Sequence, residues 1–101
     1  VRFMVEIGVA YGSDVEGVFE VLQSVMEDNK VIEKEPKPFV RFINFGDSSL
    51  DFQLFFWTKD AFTVENLKSD IRRTIHRKLK EAGIAIPFPQ RDIHIISKKE
   101  E

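Results

Sequence analysis

Residues 39–57 read Phe39-Val40-Arg41-Phe42-Ile43-Asn44-Phe45, then Gly46-Asp47-Ser48-Ser49, then Leu50-Asp51-Phe52-Gln53-Leu54-Phe55-Phe56-Trp57. The middle four residues have the composition of a tight turn, which predicts a β-hairpin between the flanking strands. In the later strand Leu50, Phe52, Leu54 and Phe56 alternate with Asp51, Gln53, Phe55 and Trp57. Because an unpaired arginine is rarely buried, Arg41 predicts that Val40 and Phe42 face the core.

The chain before the hairpin predicts a strand followed by a helix. Arg2 to Ala10 alternates between apolar and other residues with a period of two. Ser13, with Glu16 three residues later, forms a capping-box signature, and Asp14 adds favourable charge to the first helical turn. Apolar residues at helical spacing continue this helix to about Asn29. A charged connector then leads to the hairpin.

The chain after the hairpin predicts a second helix and a last strand. Thr63 is the predicted N-cap, and Gly83 the predicted left-handed C-cap. Pro87 and Pro89 then exclude both helix and central strand, because each proline removes an amide donor. A short strand is predicted over 92–96. The helix between the caps is indicated by apolar residues four apart: Leu67, Ile71, Ile75 and Leu79.

The order strand, helix, strand, strand, helix, strand predicts an α+β fold. It is the ferredoxin-like βαββαβ pattern, a four-stranded antiparallel sheet with two helices on one face. We expect this domain to span residues 1–96 and residues 97–101 to form a tail. Since Val1 already lies inside a strand pattern, we expect the chain to be a piece of something longer.

Composition narrows the function. The chain has 101 residues, which suits one domain, and a net charge of −2, which gives no general attraction to nucleic acid or anionic membranes. It contains no cysteine, so disulfides, thiolate metal sites and cysteine nucleophiles are excluded. No run approaches the roughly 18 apolar residues of a membrane-spanning helix.

The sheet face away from the helices is predicted to be unusually apolar. A solvated antiparallel face should be mostly polar, and an apolar patch of this kind marks contact with another domain or subunit. The alternative is that loops or strand twist cover it. The candidate interface residues are Met4, Phe39, Ile43, Phe45, Phe55 and Trp57, with Ile96 beside them.

No constellation of residues predicts an enzyme, a metal site or a bound cofactor. His76 and His94 lie on different elements without a metal-binding motif, although His94 alternates with Asp92. An RNA-recognition module shares the topology, but its third strand should open with a basic residue and glycine, and here that strand opens with Leu50 and Asp51. The second helix is basic and the first acidic, which indicates either solvated faces or head-to-tail contact between adjacent copies.

Several segments together resemble the C-terminal cytoplasmic domain of the small-conductance mechanosensitive (MscS) channel family. They are the strand and turn over 7–14, the hairpin over 46–52 and the proline-rich stretch over 83–94, in matching order from about Val5 to Ile95. The matching positions are Gly8, Tyr11, Gly12, Asp14, Gly46, Asp47, Ser48, Ser49, Gly83, Pro87, Phe88, Pro89, Gln90, Asp92 and His94.

The resemblance implies a bacterial membrane channel, a heptamer, that opens under bilayer tension and releases ions and small solutes on osmotic downshock. This domain would then belong to the cage on the cytoplasmic side of the inner membrane, serving assembly and solute access rather than catalysis. Its implied partners are further copies of itself and the middle β-domain of the same subunit, with no cofactor and no nucleic acid. We expect Phe55 and Trp57 to be buried at these contacts.

The chain departs from the family in two respects. It contains neither a pore helix nor a middle β-domain, so conduction cannot belong to it alone. Residues 97–101 are too short and too charged to supply the last barrel strand that the family commonly adds. The alternative interpretation is a stand-alone ferredoxin-like regulatory domain that binds a small ligand and dimerises through its sheet.

Overall fold

The structure, a computed structural model, describes residues 1–87. Its strands form an antiparallel sheet in the order β1-β3-β2, and two helices complete the α+β fold that the sequence predicts. The predicted last strand over 92–96 and the tail over 97–101 lie outside the described residues. The elements are β1 (Arg2–Val9), α1 (Val15–Glu27), β2 (Phe39–Phe45), β3 (Leu50–Trp57), a 3₁₀ turn (Ala61–Thr63) and α2 (Val64–Glu81).

The core lies between one face of the sheet and both helices. The predicted alternation in β3 holds, and Val40 and Phe42 of β2 pack against the core as expected. Apolar side chains three and four residues apart turn one stripe of each helix towards the sheet. The buried residues are Val5 and Val9 of β1, Val18, Leu22, Val25 and Met26 of α1, Leu50, Phe52, Leu54 and Phe56 of β3, Leu67, Ile71, Ile75 and Leu79 of α2, and Ile32 of the connector.

The start of α1 differs from the prediction. Asp14 occupies the N-cap position, and no side chain caps the helix there. The Ser13 hydroxyl instead donates a hydrogen bond of 2.7 Å to the Ala10 carbonyl oxygen, which closes the turn after β1. The predicted capping box between Ser13 and Glu16 is therefore wrong, because the Ser13 side chain bonds to the preceding turn and not to the helix.

α2 begins where the sequence predicts, but the predicted capping residue makes no capping hydrogen bond. Thr63 is the N-cap residue, yet its side chain makes no capping bond. The Asp60 carboxylate accepts a hydrogen bond from the Thr63 amide at 3.3 Å and so caps the 3₁₀ turn that leads into the helix.

The predicted left-handed end of α2 is confirmed. Gly83 has φ of +76°, a value that side-chain-bearing residues rarely adopt. Its amide donates to the Lys80 carbonyl at 3.1 Å, and the Ile84 amide donates to the Leu79 carbonyl at 2.9 Å. These two bonds form a Schellman motif, which satisfies carbonyls that the helix end would otherwise leave unpaired.

The hairpin turn is tied to the turn that follows β1. The Gly46 amide donates to the Ser49 carbonyl at 2.7 Å, and the Tyr11 hydroxyl donates to the Gly46 carbonyl. Below the turn, the Asp51 carboxylate accepts from the Ser49 hydroxyl at 2.6 Å and from the Asn44 amide at 3.3 Å. Two loops distant in sequence are thus fixed to each other at one corner of the sheet.

One ion pair links the two helices. The Lys78 ammonium lies 2.9 Å from the Asp28 carboxylate and 3.1 Å from the Ser24 hydroxyl. Its hydrogen bond, and then its charge, hold the pKa of the Asp28 carboxyl below the ordinary value, with a smaller contribution from the charge of Lys34. The end of α1 is therefore attached to the last turn of α2.

Gly46→Ala should destabilise the domain, whereas Gly17→Ala should not. A Cβ at Gly46 would lie 2.8 Å from an Asp51 carboxylate oxygen and 3.1 Å from the Ser49 carbonyl oxygen. Overpacking of this kind costs about 1–3 kcal/mol. A Cβ at Gly17 meets only the exposed Asp14 side chain, at 3.1 Å, and alanine favours the interior of a helix by about 0.5–1 kcal/mol. Urea unfolding of both variants measures the difference, and equal losses of stability would contradict the proposed crowding at the hairpin corner.

The Asp28–Lys78 pair should make stability depend on acid pH. Because the pKa of Asp28 is lower in the folded chain than in the unfolded chain, the pair stabilises the fold above the unfolded value. That contribution is lost as the pH falls through the folded value. An NMR titration of the Asp28 carboxyl should show its pKa rising in Lys78→Met and changing less in the control Lys34→Met. An unchanged pKa in Lys78→Met would refute the assignment.

Candidate functional site: the outer face of the sheet

The outer face is the side of the sheet turned away from both helices. Strand register places Met4 of β1 and Phe39 of β2 on either side of Phe55 in β3. Arg2 stands opposite Trp57 in the next row. Residues that pair directly across antiparallel strands point to the same side, so these side chains form one continuous surface.

Three aromatic rings occupy one half of the outer face. The rings of Phe39 and Phe55 stack with centroids 5.0 Å apart and an angle of 23° between their planes. The Phe39 and Trp57 rings are 6.2 Å apart and tilted. Pairs of this geometry contribute beyond the area they bury, so the rings hold one another in place.

Two arginines lie over these rings. The Arg2 guanidinium carbon is 4.6 Å from the Phe55 ring centroid. The Arg41 guanidinium carbon is 5.3 Å from the Phe55 centroid and 5.1 Å from that of Phe39. Each arginine occupies a diagonal position relative to Phe55, from which a long side chain reaches the ring. We call Arg2, Phe39, Arg41, Phe55 and Trp57 the arginine–aromatic cluster.

Because of the cluster, the outer face exposes guanidinium groups where the Phe55 ring would otherwise be exposed. Phe55 is only 6% exposed, so this member of the candidate interface residues is already covered within the chain itself. The chain's own guanidiniums cover the ring, because a cation over an aromatic face is attracted by the ring quadrupole. Neither Arg2 nor Arg41 pairs with a carboxylate within residues 1–87. The surface therefore offers guanidinium donors above an aromatic base.

The other half of the outer face carries polar and acidic groups beside Ile43. The Gln53 amide donates to the Glu6 carboxylate at 2.8 Å across β1 and β3. Beyond this pair lie Asp51 and Gly8, which stand opposite each other at the hairpin corner. The outer face thus divides into a cationic and aromatic half and a half of neutral and acidic groups.

A β-bulge alters the predicted facing of the end of β2. The register shifts between Phe42 and Asn44, so that Asn44 pairs with Asp51, and Phe45 pairs with the core residue Leu50. Phe45 therefore turns to the helix side, 73% exposed, and not to the outer face as the simple alternation predicted. A bulge adds one residue to a strand and reverses the side that later residues occupy. Ile43 stays on the outer face and is 43% exposed.

The motif residues that the sequence singled out do not form one site. Gly8, Tyr11, Gly46 and Ser49 meet at the hairpin corner, where a Cβ at Gly8 would lie 2.9 Å from the Ser49 hydroxyl. Their role there is architectural. Gly12 has φ of +93° in the turn after β1, and Asp14 occupies the N-cap position of α1 without a side-chain capping bond. Asp47 and Ser48 lie in the hairpin turn, and Gly83 and Pro87 follow α2. Phe88, Pro89, Gln90, Asp92, His94 and Ile96 lie outside the described residues.

Sequence reasoning missed the contribution of Arg2 and Arg41. Both appeared only as polar members of alternating strands. Their convergence on Phe55 depends on which strands are neighbours and in which register, and neither is fixed by the pattern within a strand. A signal was present nevertheless: each arginine shares a face with an aromatic residue one row away.

The arrangement offers groups that are suited to binding. Within residues 1–87, no group of three or more His, Asp or Glu side chains is placed to hold a metal ion, and His76 is exposed on α2. The same part of the chain contains no helix with the length and apolar character to cross a bilayer. Two guanidiniums above stacked rings can bind carboxylates and planar groups of another protein surface.

Removing the two arginines should weaken the fold by uncovering Phe55. A cation–π contact at an exposed site contributes about 0.5–1 kcal/mol, so Arg2→Ala with Arg41→Ala should lower the free energy of unfolding by about 1–2 kcal/mol. Urea unfolding measures this loss. Arg73→Ala, which removes only an exposed ion pair with Asp70, is the control and should change stability less. Equal effects of Arg41→Ala and Arg73→Ala would show that the cluster adds nothing.

Comparison with known proteins places the chain in a family. Residues 3–86 match the family model described as mechanosensitive ion channel MscS, C-terminal. The chain is 41% identical over 97 residues to an uncharacterized MscS family protein of Synechocystis, covering 94% of this chain and 32% of that protein. It is 35% identical over 88 residues to the small-conductance mechanosensitive channel of Helicobacter pylori, covering 87% and 32%. The Escherichia coli mechanosensitive channel MscK is 34% identical over 98 residues, which are 97% of this chain and 9% of that protein.

The structural comparison agrees. The crystal structure of Helicobacter pylori MscS in its closed state superposes with a TM-score of 0.80 at 33% sequence identity, covering 87% of this chain and 35% of that one. The chain spans about a third of the length of the Synechocystis and Helicobacter relatives. The match extends over β1 to α2 and includes the hairpin corner and the outer face. The chain therefore belongs to the MscS family of mechanosensitive channels and corresponds to its C-terminal domain.

Proposed function

We propose that this chain acts as the cytoplasmic cage domain of a mechanosensitive channel that releases ions and small solutes on osmotic downshock. Its part in that process is assembly of the subunits and access of solutes to the pore, and not catalysis. The observation that carries the proposal is the match of residues 3–86 to the C-terminal domain of the MscS family. The TM-score of 0.80 to the closed Helicobacter pylori MscS supports it.

The work of sensing tension and conducting ions belongs, in this proposal, to other parts of the channel. The chain spans 32% of the small-conductance channel of Helicobacter pylori. The described residues contribute a compact sheet-and-helix unit with charged helix surfaces, which suits a position in the cytoplasm. We place the domain over residues 1–96, with a fourth strand over 92–96 that completes the ferredoxin-like sheet at the edge of β1.

The proposed partners are further copies of the chain, in a heptamer, and the middle β-domain of the same subunit. The exposed and half-buried candidate interface residues supply the contacts, with Ile43 on the outer face and Phe45 on the helix side of the sheet. Ile43 and Phe45 are 43% and 73% exposed, and Met4, Phe39 and Trp57 are half-buried. Phe55 acts differently from the others, since it is already covered by Arg2 and Arg41 and supports the surface from below.

A chimera tests the channel function. The chain replaces the corresponding part of the Helicobacter pylori small-conductance channel, in a bacterial strain that has no mechanosensitive channels of its own. We expect the chimera to restore survival after osmotic downshock and to give tension-activated currents in membrane patches. A chimera that reaches the membrane as an assembled oligomer but gives neither result would overturn the proposed function. The same channel without the domain is the control.

The interface residues can be tested in the same chimera. Ile43→Asp and Phe45→Asp place charge on side chains that are already exposed, so they should unfold the domain little while reducing the amount of assembled channel. Phe62→Asp is the matched control, because Phe62 is fully exposed and lies outside the interface set. The measurement is the ratio of oligomer to monomer in detergent extracts. If all three variants assemble equally, the assigned interface is wrong.

A further inference from the structure

The guanidinium groups of Arg2 and Arg41 carry positive charge that no carboxylate of the described chain neutralises. Both side chains are exposed, and neither forms an ion pair within residues 1–87. A guanidinium is always charged, and it has only hydrogen-bond donors to offer. The two arginines therefore have N–H groups that are available to an anionic ligand.

Both guanidinium groups are held in place before any ligand arrives. Each guanidinium carbon lies within 5.3 Å of the Phe55 ring centroid, and the Phe55 ring is itself stacked on that of Phe39. An arginine that already lies against a ring loses less conformational freedom when it binds an anion. The arginine–aromatic cluster is thus preorganised for binding.

The two arginines approach the Phe55 ring from different strands and from opposite ends. Arg2 of β1 pairs with Trp57, one row beyond Phe55, and Arg41 of β2 pairs with Gln53, one row before it. Because both guanidinium groups lie near one ring, a single small molecule can reach both of them. Each planar guanidinium matches the two oxygens of one carboxylate. The cluster therefore has places for two carboxylates.

The rest of the outer face favours a compact anion over an extended acidic protein surface. The Glu6 carboxylate shares this face and accepts a hydrogen bond of 2.8 Å from the Gln53 amide. Asp51 lies one row further along β3. An extended acidic surface that covered the cluster would also meet these carboxylates, and like charges in contact are unfavourable. A short dianion can bind to the cluster without reaching them.

The cluster also provides apolar surface between and beside the two cations. Phe39 and Trp57 are half-buried, so part of each ring is open to solvent. Their centroids are 6.2 Å apart. Methylene groups that join two carboxylates can pack against such ring surface, since burial of apolar area is favourable.

We propose that the arginine–aromatic cluster binds a short dicarboxylate, with one carboxylate on the Arg2 guanidinium and the other on the Arg41 guanidinium. The spacer between the carboxylates crosses the covered Phe55 ring. This inference goes beyond the proposed channel function, because the ligand is a small molecule and the whole site lies within one copy of the chain. Binding therefore does not depend on assembly.

Trp57 provides a direct measurement of binding. It is the only tryptophan of the chain, and it pairs with Arg2 across β1 and β3. The 101-residue chain is titrated with glutarate at constant ionic strength, and the NMR signal of the indole N–H is followed. We expect a saturable shift, with an affinity at least about tenfold higher than for acetate or inorganic phosphate, because each of these supplies one anionic group. Equal affinities would overturn the site with two carboxylate positions.

Lysine substitutions separate geometry from charge. Arg2→Lys with Arg41→Lys keeps both positive charges and removes both planar donor groups, so the affinity for glutarate should fall at least about tenfold. Arg72→Lys with Arg73→Lys makes the same changes at exposed positions of α2 and should leave the affinity unchanged. Circular dichroism and urea unfolding check that both variants fold. If the two variants bind glutarate equally, the assigned site is wrong.

A titration with adenosine monophosphate tests the class of ligand. This nucleotide combines a planar base, which can stack on a guanidinium, with one phosphate. An affinity above that of glutarate would overturn the dicarboxylate assignment, and a lower affinity would support it.

The outcome is separable from that of the channel experiment. A chimera that restores downshock survival, together with a chain that shows no saturable binding of glutarate, would remove the ligand site and leave the channel function. Saturable binding that depends on Arg2 and Arg41, together with an inactive chimera, would leave the ligand site and remove the channel function.

Discussion

The two-sided pairing of β3 is the constraint on which the rest of the structure depends. β3 bonds to β1 over the whole of Arg2–Val9 and to β2 on its other edge. β3 is therefore the central strand of these three. The apolar side chains on both of its faces are kept from water only if other groups pack against them. One face is buried entirely by the helices, which is why both helices carry an apolar stripe. The other face carries Phe55 and Trp57, and no helix among residues 1–87 covers it.

On that second face, two arginine side chains of the domain itself cover the aromatic surface. Arg2 and Arg41 come from the two strands on either side and lie over the same phenylalanine ring. This keeps a large apolar group out of water without burying a charge, because the guanidinium edges stay exposed while their faces cover the ring. A partner that docks on this part of the outer face would therefore contact the guanidinium groups of Arg2 and Arg41 before it contacts the Phe55 ring.

The sequence was sufficient for most of the fold and for the family, but not for the contacts at the outer face. Alternation in β3 and four-residue spacing in α2 depend on local periodicity, and both predictions are confirmed. The facing of Phe45 failed because a single bulge shifted the register. The capping role of Ser13 failed because the helix begins one residue later, with Asp14 at the N-cap, and the Ser13 hydroxyl donates to the Ala10 carbonyl of the preceding turn. The cover over Phe55 depends on neighbours from two other strands, and a pattern within one strand does not specify them.

The pairing of β1 with β3 also has a mechanical consequence. Hydrogen bonds between antiparallel strands lie perpendicular to the strands. A force applied along β1 therefore loads its bonds to β3 together, in shear, and does not open them one after another from an end. The hydrogen bond from Tyr11 to Gly46 continues this connection past the end of β1 to the hairpin. The β1–β3 pairing therefore resists force along the strands more than force across them. A pull across the strands separates them most easily.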